Sequence, residues 1–172
     1  KSTVLASQSD YLLAHCQMPV LNPSDLQELR DIGIHGLAMS RFAGNWTGLI
    51  CLTDLMDSSG IVDLELPTVV MPPDDYRGDA LNRMQKLSTR TTLEPLVKDV
   101  RLPRVWDYAR ANGSDKFAFG SPNARVGFVT TGKAYQDLRQ VLAIAGDDVA
   151  NDVAVYKVGM PWPLDVEELA KF

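Results

Sequence analysis

The chain has 172 residues, with 17 lysines and arginines against 22 aspartates and glutamates, and a net charge of −5. That balance, with no basic run, argues against nucleic acid as the main partner, and there is no apolar stretch of the roughly eighteen residues that a membrane span requires. A hydrophobic share of 45% is enough for one ordinary domain or two small ones. No secretory pattern opens the chain, so a cytoplasmic location is expected. Cys16 and Cys51 stand far apart in no C-x-x-C pattern. A disulfide framework, a zinc site and an iron–sulfur cluster are therefore unsupported, and two free, buried thiols are expected.

In chain order, Ser7-Gln8-Ser9-Asp10 offers caps to a short helix through Cys16, and Met18-Pro19-Val20-Leu21 reads as a short strand. Asn22-Pro23-Ser24-Asp25 predicts a helix start: an N-cap, proline at the first helical position and an acid in the first turn. That helix should run to about Phe42 and stop at Gly44, with Leu26, Leu29, Gly33 and Leu37 on one side and Gly36 and Ser40 close by. Gly48 to Thr53 follows as a strand, completing a strand–helix–strand unit. Ile61 to Leu66 alternates apolar and acidic residues as an edge strand would. Pro67, Pro72, Pro73 and Gly78 then mark a connector, 67–115, with one helix from Leu102 to Ala111 closed by Asn112-Gly113.

The last fifty residues carry the clearest pattern. Arg125 to Thr131 is a β-branched apolar run, and Ala134, Leu138, Val141, Leu142 and Ala145 form one stripe of a helix that Gly146 ends. Val153 to Val158 is a second strand, so the whole predicts a parallel strand–helix–strand unit. Chemistry in open α/β sheets gathers at the carboxyl ends of strands. Here those ends are Thr130-Thr131-Gly132-Lys133 and Gly159-Met160-Pro161-Trp162-Pro163. Asp165 with Glu168 is a capping-box pattern near the end of the chain, which also begins without methionine. A fragment of a longer protein is expected.

Patterns for catalysis are sparse. His15 and His35 are the only histidines and pair with no Ser, Asp or Glu at a spacing that makes a triad or a zinc helix. Thr131-Gly132-Lys133 inverts the order of a phosphate loop. What remains there is a helix amino terminus preceded by hydroxyls and glycine, a candidate for an anion or a partner's carboxylate, against plain capping by Thr131. Gly146-Asp147-Asp148 and Asn151 hold the letters of a magnesium–diphosphate motif at the wrong spacing. Trp162, between two prolines, suits an interface or cleft wall as well as core packing.

Two blocks nevertheless resemble a family. Ser121 to Tyr135, followed by Tyr156-Lys157-Val158-Gly159-Met160-Pro161-Trp162-Pro163-Leu164, is similar to the middle of the fused indolepyruvate ferredoxin oxidoreductases, which are thiamine-diphosphate-dependent 2-oxoacid:ferredoxin oxidoreductases. Lys1-Ser2-Thr3, Ser7 to Asp10, Met18 to Pro23, Gln27-Glu28 and His35 to Arg41 fit the same order.

The resemblance implies an α/β fold of two Rossmann-like three-layer lobes with mainly parallel sheets. Residues 1–66 would be the second half of a pyrimidine-binding domain, and 116–172 the start of a transketolase C-terminal-like domain. The parent enzyme would oxidatively decarboxylate indolepyruvate or a similar aryl-2-oxoacid to an acyl-CoA, using thiamine diphosphate, magnesium and [4Fe-4S] clusters. Its partners would be the rest of the parent chain, a second copy of the subunit, and ferredoxin. The activating glutamate, the metal motif and the cluster cysteines would lie elsewhere, so no catalytic or metal residue and no bound cofactor is expected in this segment. Glu28 would occupy a structural position. The loop Lys1, Ser2, Thr3 to Gln8 is the candidate for cofactor contact, and Thr131, Gly132, Lys133 and Trp162 are the anion or interface candidates. The alternative is a non-catalytic assembly module that holds an anion such as a CoA phosphate.

Overall fold

The computed structural model describes residues 8–73, 93–121 and 123–172. Lys1, Ser2 and Thr3, and the connector over 74–92, fall outside the described residues. The chain opens with helix α1 (Asp10–His15), strand β1 (Val20–Leu21), helix α2 (Leu26–Ala43), strand β2 (Gly48–Leu49) and the one-turn helix α3 (Thr53–Met56). A second group begins with α4 (Leu93–Pro95), which runs through a π-helical stretch, Leu96–Arg101, into α5 (Leu102–Ala111). Then come β3 (Asp115–Gly120), β4 (Val126–Thr131), α6 (Lys133–Ala145), α7 (Asp147–Ala150), β5 (Val153–Val158) and α8 (Val166–Leu169). Among the described residues no helix is long and apolar enough to cross a membrane.

The fold is α/β. β1 and β2 pair in parallel, Val20 beside Gly48 and Leu21 beside Leu49. The second sheet has the order β3-β5-β4. β4 runs parallel to β5 across the α6 crossover, as the sequence pattern predicts, while β3 is antiparallel to β5 and makes this sheet mixed. All six residues of β5 are buried, as a central strand covered on both faces requires.

Several elements differ from expectation, each for an identifiable reason. α2 starts three residues later than the Asn22-Pro23 signal predicts. Asn22 precedes a proline and stays extended, its N–H donating to the Gly159 carbonyl at 2.9 Å. Asp25 is the actual N-cap, its carboxylate accepting the Glu28 N–H at 2.9 Å. Gly44, at φ 71°, closes the helix in the left-handed conformation. The buried face of α2 is Gly36, Met39 and Ala43, whereas Leu37 is 63% exposed. Residues 61–66 form no strand, because α2 side chains take their backbone groups. Arg30 donates to the carbonyls of Leu64 and Glu65, and Gln27 bonds both the N–H and the carbonyl of Asp63. Cys16 and Cys51 are exposed, not buried, Cys16 lying at the end of a helix that buries no residue. The α6 stripe also rotates: Tyr135, Leu138 and Leu142 meet β5, while Val141 is exposed.

Two apolar clusters result. One is Leu142, Val153 and Val155, with Ala118, Phe119, Tyr135 and Leu138 packed against it. The other draws on four separated stretches: Leu21, Met39 and Ala43, then Val105, Tyr108 and Ala109 of α5, and finally Met160 just beyond β5. The α5 helix, expected within a connector, is thus a core element. Val20 N–H also donates to the Trp162 carbonyl at 2.7 Å, tying β1 to the chain that leaves β5.

Met39 and Met160 are fully buried in the same cluster although far apart in the chain. Met39→Ala and Met160→Ala should each cost about 2–5 kcal/mol. Both should lower the midpoint of one common transition in urea, monitored by far-UV circular dichroism. A separate early transition in either variant would show that the cluster is not one cooperative unit.

Candidate functional site

The strongest polar constellation lies where the start of α2 meets β5 and α6. β5 carries Lys157 at its penultimate position, 2% exposed and surrounded by Val, Ala and Tyr on the same strand. A buried ammonium must be paired or neutralised. Its Nζ donates to a Glu28 carboxylate oxygen and, at 3.1 Å, to the Ser24 hydroxyl, and it stands 4.6 Å from the centre of the Tyr135 ring. Glu28 also takes the Ser24 N–H at 2.9 Å and the Ser24 hydroxyl at 2.8 Å through its other oxygen. The residue that completes the helix cap therefore also balances the lysine. From α6, Gln136 Nε2 donates to Asp25 at 2.6 Å and to Ser24 Oγ at 3.1 Å.

Burial pushes the Glu28 carboxyl up, but the Lys157 and Ser24 hydrogen bonds outweigh it and hold the group below the usual carboxylate value of 4.5. Burial pulls Lys157 down from its ordinary value against the opposing pull of Glu28. Both groups carry charge at neutral pH, locked to one another. The Glu28 carboxylate thus ties the start of α2 to β5.

The strand-end candidates fall on the same seam. The Thr131 hydroxyl accepts from Asn22 Nδ2 at 3.2 Å and caps nothing, since the N-cap of α6 is Gly132. Gly132 has φ 54° and its missing Cβ would lie 2.5 Å from the Asn22 amide. Lys133 pairs with Asp137 one turn on, at 2.7 and 2.9 Å. Trp162 is half-buried and offers its carbonyl to β1. Thr131, Gly132 and Trp162 thus meet other parts of this chain, whereas Lys133 pairs within α6. Gln8 is exposed, and Lys1, Ser2 and Thr3 are outside the described residues.

Sequence reasoning missed four anchors, three on α5 and one at the start of β3. Trp106 Nε1 donates to the Pro163 carbonyl at 3.1 Å, and Arg104 donates to the Phe42 carbonyl at the end of α2 while lying over the Phe42 ring. Arg110 grips Asp165 with two bonds, 2.5 and 2.8 Å, and Asp165 caps α8 as its spacing to Glu168 predicts. Asp115 accepts the N–H groups of Gly159 and Met160 at 2.8 and 2.9 Å. The position of α5 brings the first three pairs together and the β3–β5 register the last, so no local spacing could have signalled them. Among the described residues, no group of three or more His, Cys, Asp or Glu side chains could hold a metal ion.

A family model described as an indolepyruvate oxidoreductase domain matches residues 116–172, the last third of the chain. The matched segment begins one residue into β3 and covers the rest of the β3-β5-β4 sheet with its helices. No curated protein matches the chain. The match supports kinship with the indolepyruvate oxidoreductases and an oxidoreductase as the parent family.

Two predictions follow from this seam. Glu28→Gln leaves the buried Lys157 without its carboxylate and should cost about 3–5 kcal/mol, Lys157→Met should cost less because Glu28 is partly exposed, and Lys157→Met with Glu28→Leu should recover much of the larger loss. Urea titration of the three variants measures it; full additivity would show that the pair is not coupled. For pH, Glu28 has a folded value below 4.5, so its stabilisation is present above that value and disappears as pH falls through the lower folded one. His35, whose Nδ1 lies 3.0 Å from the Tyr108 hydroxyl, is lowered from 6.5 by burial against the opposing charge of Asp31. Folding therefore favours the neutral imidazole, so stability should decline as pH falls below about 6.5 toward the lower folded value. His35→Gln should flatten that upper part of the profile and leave the lower part intact.

Proposed function

We propose that this chain is a scaffold section of an indolepyruvate oxidoreductase that uses thiamine diphosphate and CoA to decarboxylate aryl-2-oxoacids oxidatively, passing electrons through iron–sulfur clusters to ferredoxin in the cytoplasm. The family match over residues 116–172 carries this reading. The described residues do not fit the cofactors themselves. The Glu28 carboxylate is committed to Lys157, Cys16 and Cys51 are exposed, single thiols, and no metal-holding group of acids gathers. We therefore assign diphosphate, magnesium and cluster binding to other parts of the assembled enzyme, and to this chain the joining of two α/β units across the Lys157–Glu28 seam. An edge strand β4 with apolar residues on both faces suits a neighbouring subunit or domain.

The test is an assay of the polypeptide that contains this chain, purified without oxygen and supplied with indolepyruvate, CoA and an electron acceptor. Acceptor reduction that requires both substrates is expected. A Lys157→Met variant should yield less assembled enzyme with an unchanged KM. A preparation that takes up thiamine diphosphate yet oxidises no aryl-2-oxoacid would overturn the proposal.

A further inference from the structure

Between α2 and the sheet face of β3 and β5 lies a cavity of about 210 Å³ that the seam leaves open. Its apolar wall is formed by Ile32 and Pro67, with Leu21 and Met39, 3% and 0% exposed, also at its edge. A cavity of about 150 Å³ lined by such side chains takes up benzene. The present one therefore has room for a single six-membered ring and a small polar substituent.

Two lysines and two carboxylates line this cavity, and a further cation, Arg30, takes one of the carboxylates from outside it. Lys116 of β3 stands directly opposite Lys157 of β5 in the antiparallel register, and both line the space. Like charges facing each other across strands are unfavourable. Lys157 is satisfied by Glu28, Ser24 and the Tyr135 ring. The two carboxylates that line the cavity are both engaged, Glu28 by Lys157 and Asp31 by Arg30 at 2.7 Å and Gln27 at 2.8 Å. His35, also at the wall, holds the Tyr108 hydroxyl. Lys116 has no carboxylate partner among the described residues. One positive charge thus faces an apolar space from its rim.

We propose that this cavity binds a small organic monoanion: a carboxylate on a body of about one ring, its charge met by Lys116 and its ring laid against Ile32 and Pro67, close to the buried Met39. The ligand touches both α2 and β3, so it fastens the same seam that the buried ion pair closes. The site is built wholly from this chain and needs no cofactor, so it stands or falls apart from the oxidoreductase reading.

The experiment compares benzoate with benzamide, which has nearly the same shape and no charge, by calorimetric titration of the full chain. Methyl-labelled methionine reports the location by nuclear magnetic resonance. Benzoate should saturate and shift the Met39 methyl signal, with benzamide weaker by roughly tenfold, the worth of one charge-assisted hydrogen bond. Lys116→Ala should bring benzoate down to the level of benzamide, and Lys116→Arg should keep most of the affinity. Lys116 is exposed on its strand, so circular dichroism should show both variants folded. Absence of saturable benzoate binding, equal affinity for benzamide, an unmoved Met39 signal, or undiminished binding in the folded Lys116→Ala variant would each overturn the proposal.

Discussion

A lysine on the innermost strand of a sheet constrains everything packed around it. Lys157 cannot be buried alone, because an unpaired ammonium in an apolar interior costs far more than packing returns. The carboxylate that answers it comes from Glu28, and that position is available only because Asp25 caps α2 and turns the third residue of the helix back over Ser24. The start of α2 therefore has two duties: Asp25 takes an orphan N–H of the helix, and Glu28 neutralises the centre of the second sheet. Shifting the helix start by a residue would turn Glu28 away from the strand, since successive helical positions rotate by about 100°. Register and charge are fixed together.

The α5 helix extends that constraint. Its apolar face, Val105, Tyr108 and Ala109, packs with Leu21, Met39 and Met160, and its polar groups seize chain ends: Arg104 the end of α2, Trp106 the Pro163 carbonyl, Arg110 the cap of α8. A bidentate arginine–carboxylate pair is specific in direction as well as strong. The guanidinium of Arg110 therefore sets where α8 leaves the sheet. With the Asp115 carboxylate holding the N–H groups of Gly159 and Met160, the turn after β5 is bound from two sides. That turn is where an α/β sheet commonly places its chemistry, yet here its polar groups are spent on structure.

What remains unspent lies elsewhere. The open edge of β4 exposes Val126, Phe128 and Val129, a run whose composition belongs to an interior strand. Lys116, at the rim of the cavity, has no carboxylate partner among the described residues. A scaffold whose strand ends are closed and whose sheet edge is open is suited to being packed against, which is the role proposed for it within an oxidoreductase.

The strand–helix–strand order of both units, the stops at Gly44 and Gly146, the helix 102–111 and the cap at Asp165 were all legible in the sequence. Each depends on residues within a few positions of one another: apolar spacing, a glycine able to adopt positive φ, an acid three residues before its partner. The resemblance of the final block to the indolepyruvate oxidoreductase domain was legible for the same reason, being carried by contiguous residues. The seam was not. Whether Asn22 caps a helix or bonds Thr131, whether 61–66 pairs as a strand or yields its carbonyls to Arg30, and whether α5 links two units or belongs to their core are settled by partners many residues away. Local pattern sets which elements form and where glycines and caps end them. Only tertiary packing could choose the face of α2 that is buried and the carboxylate that meets Lys157, because buried charge and apolar area are satisfied by neighbours in space, whatever their distance along the chain.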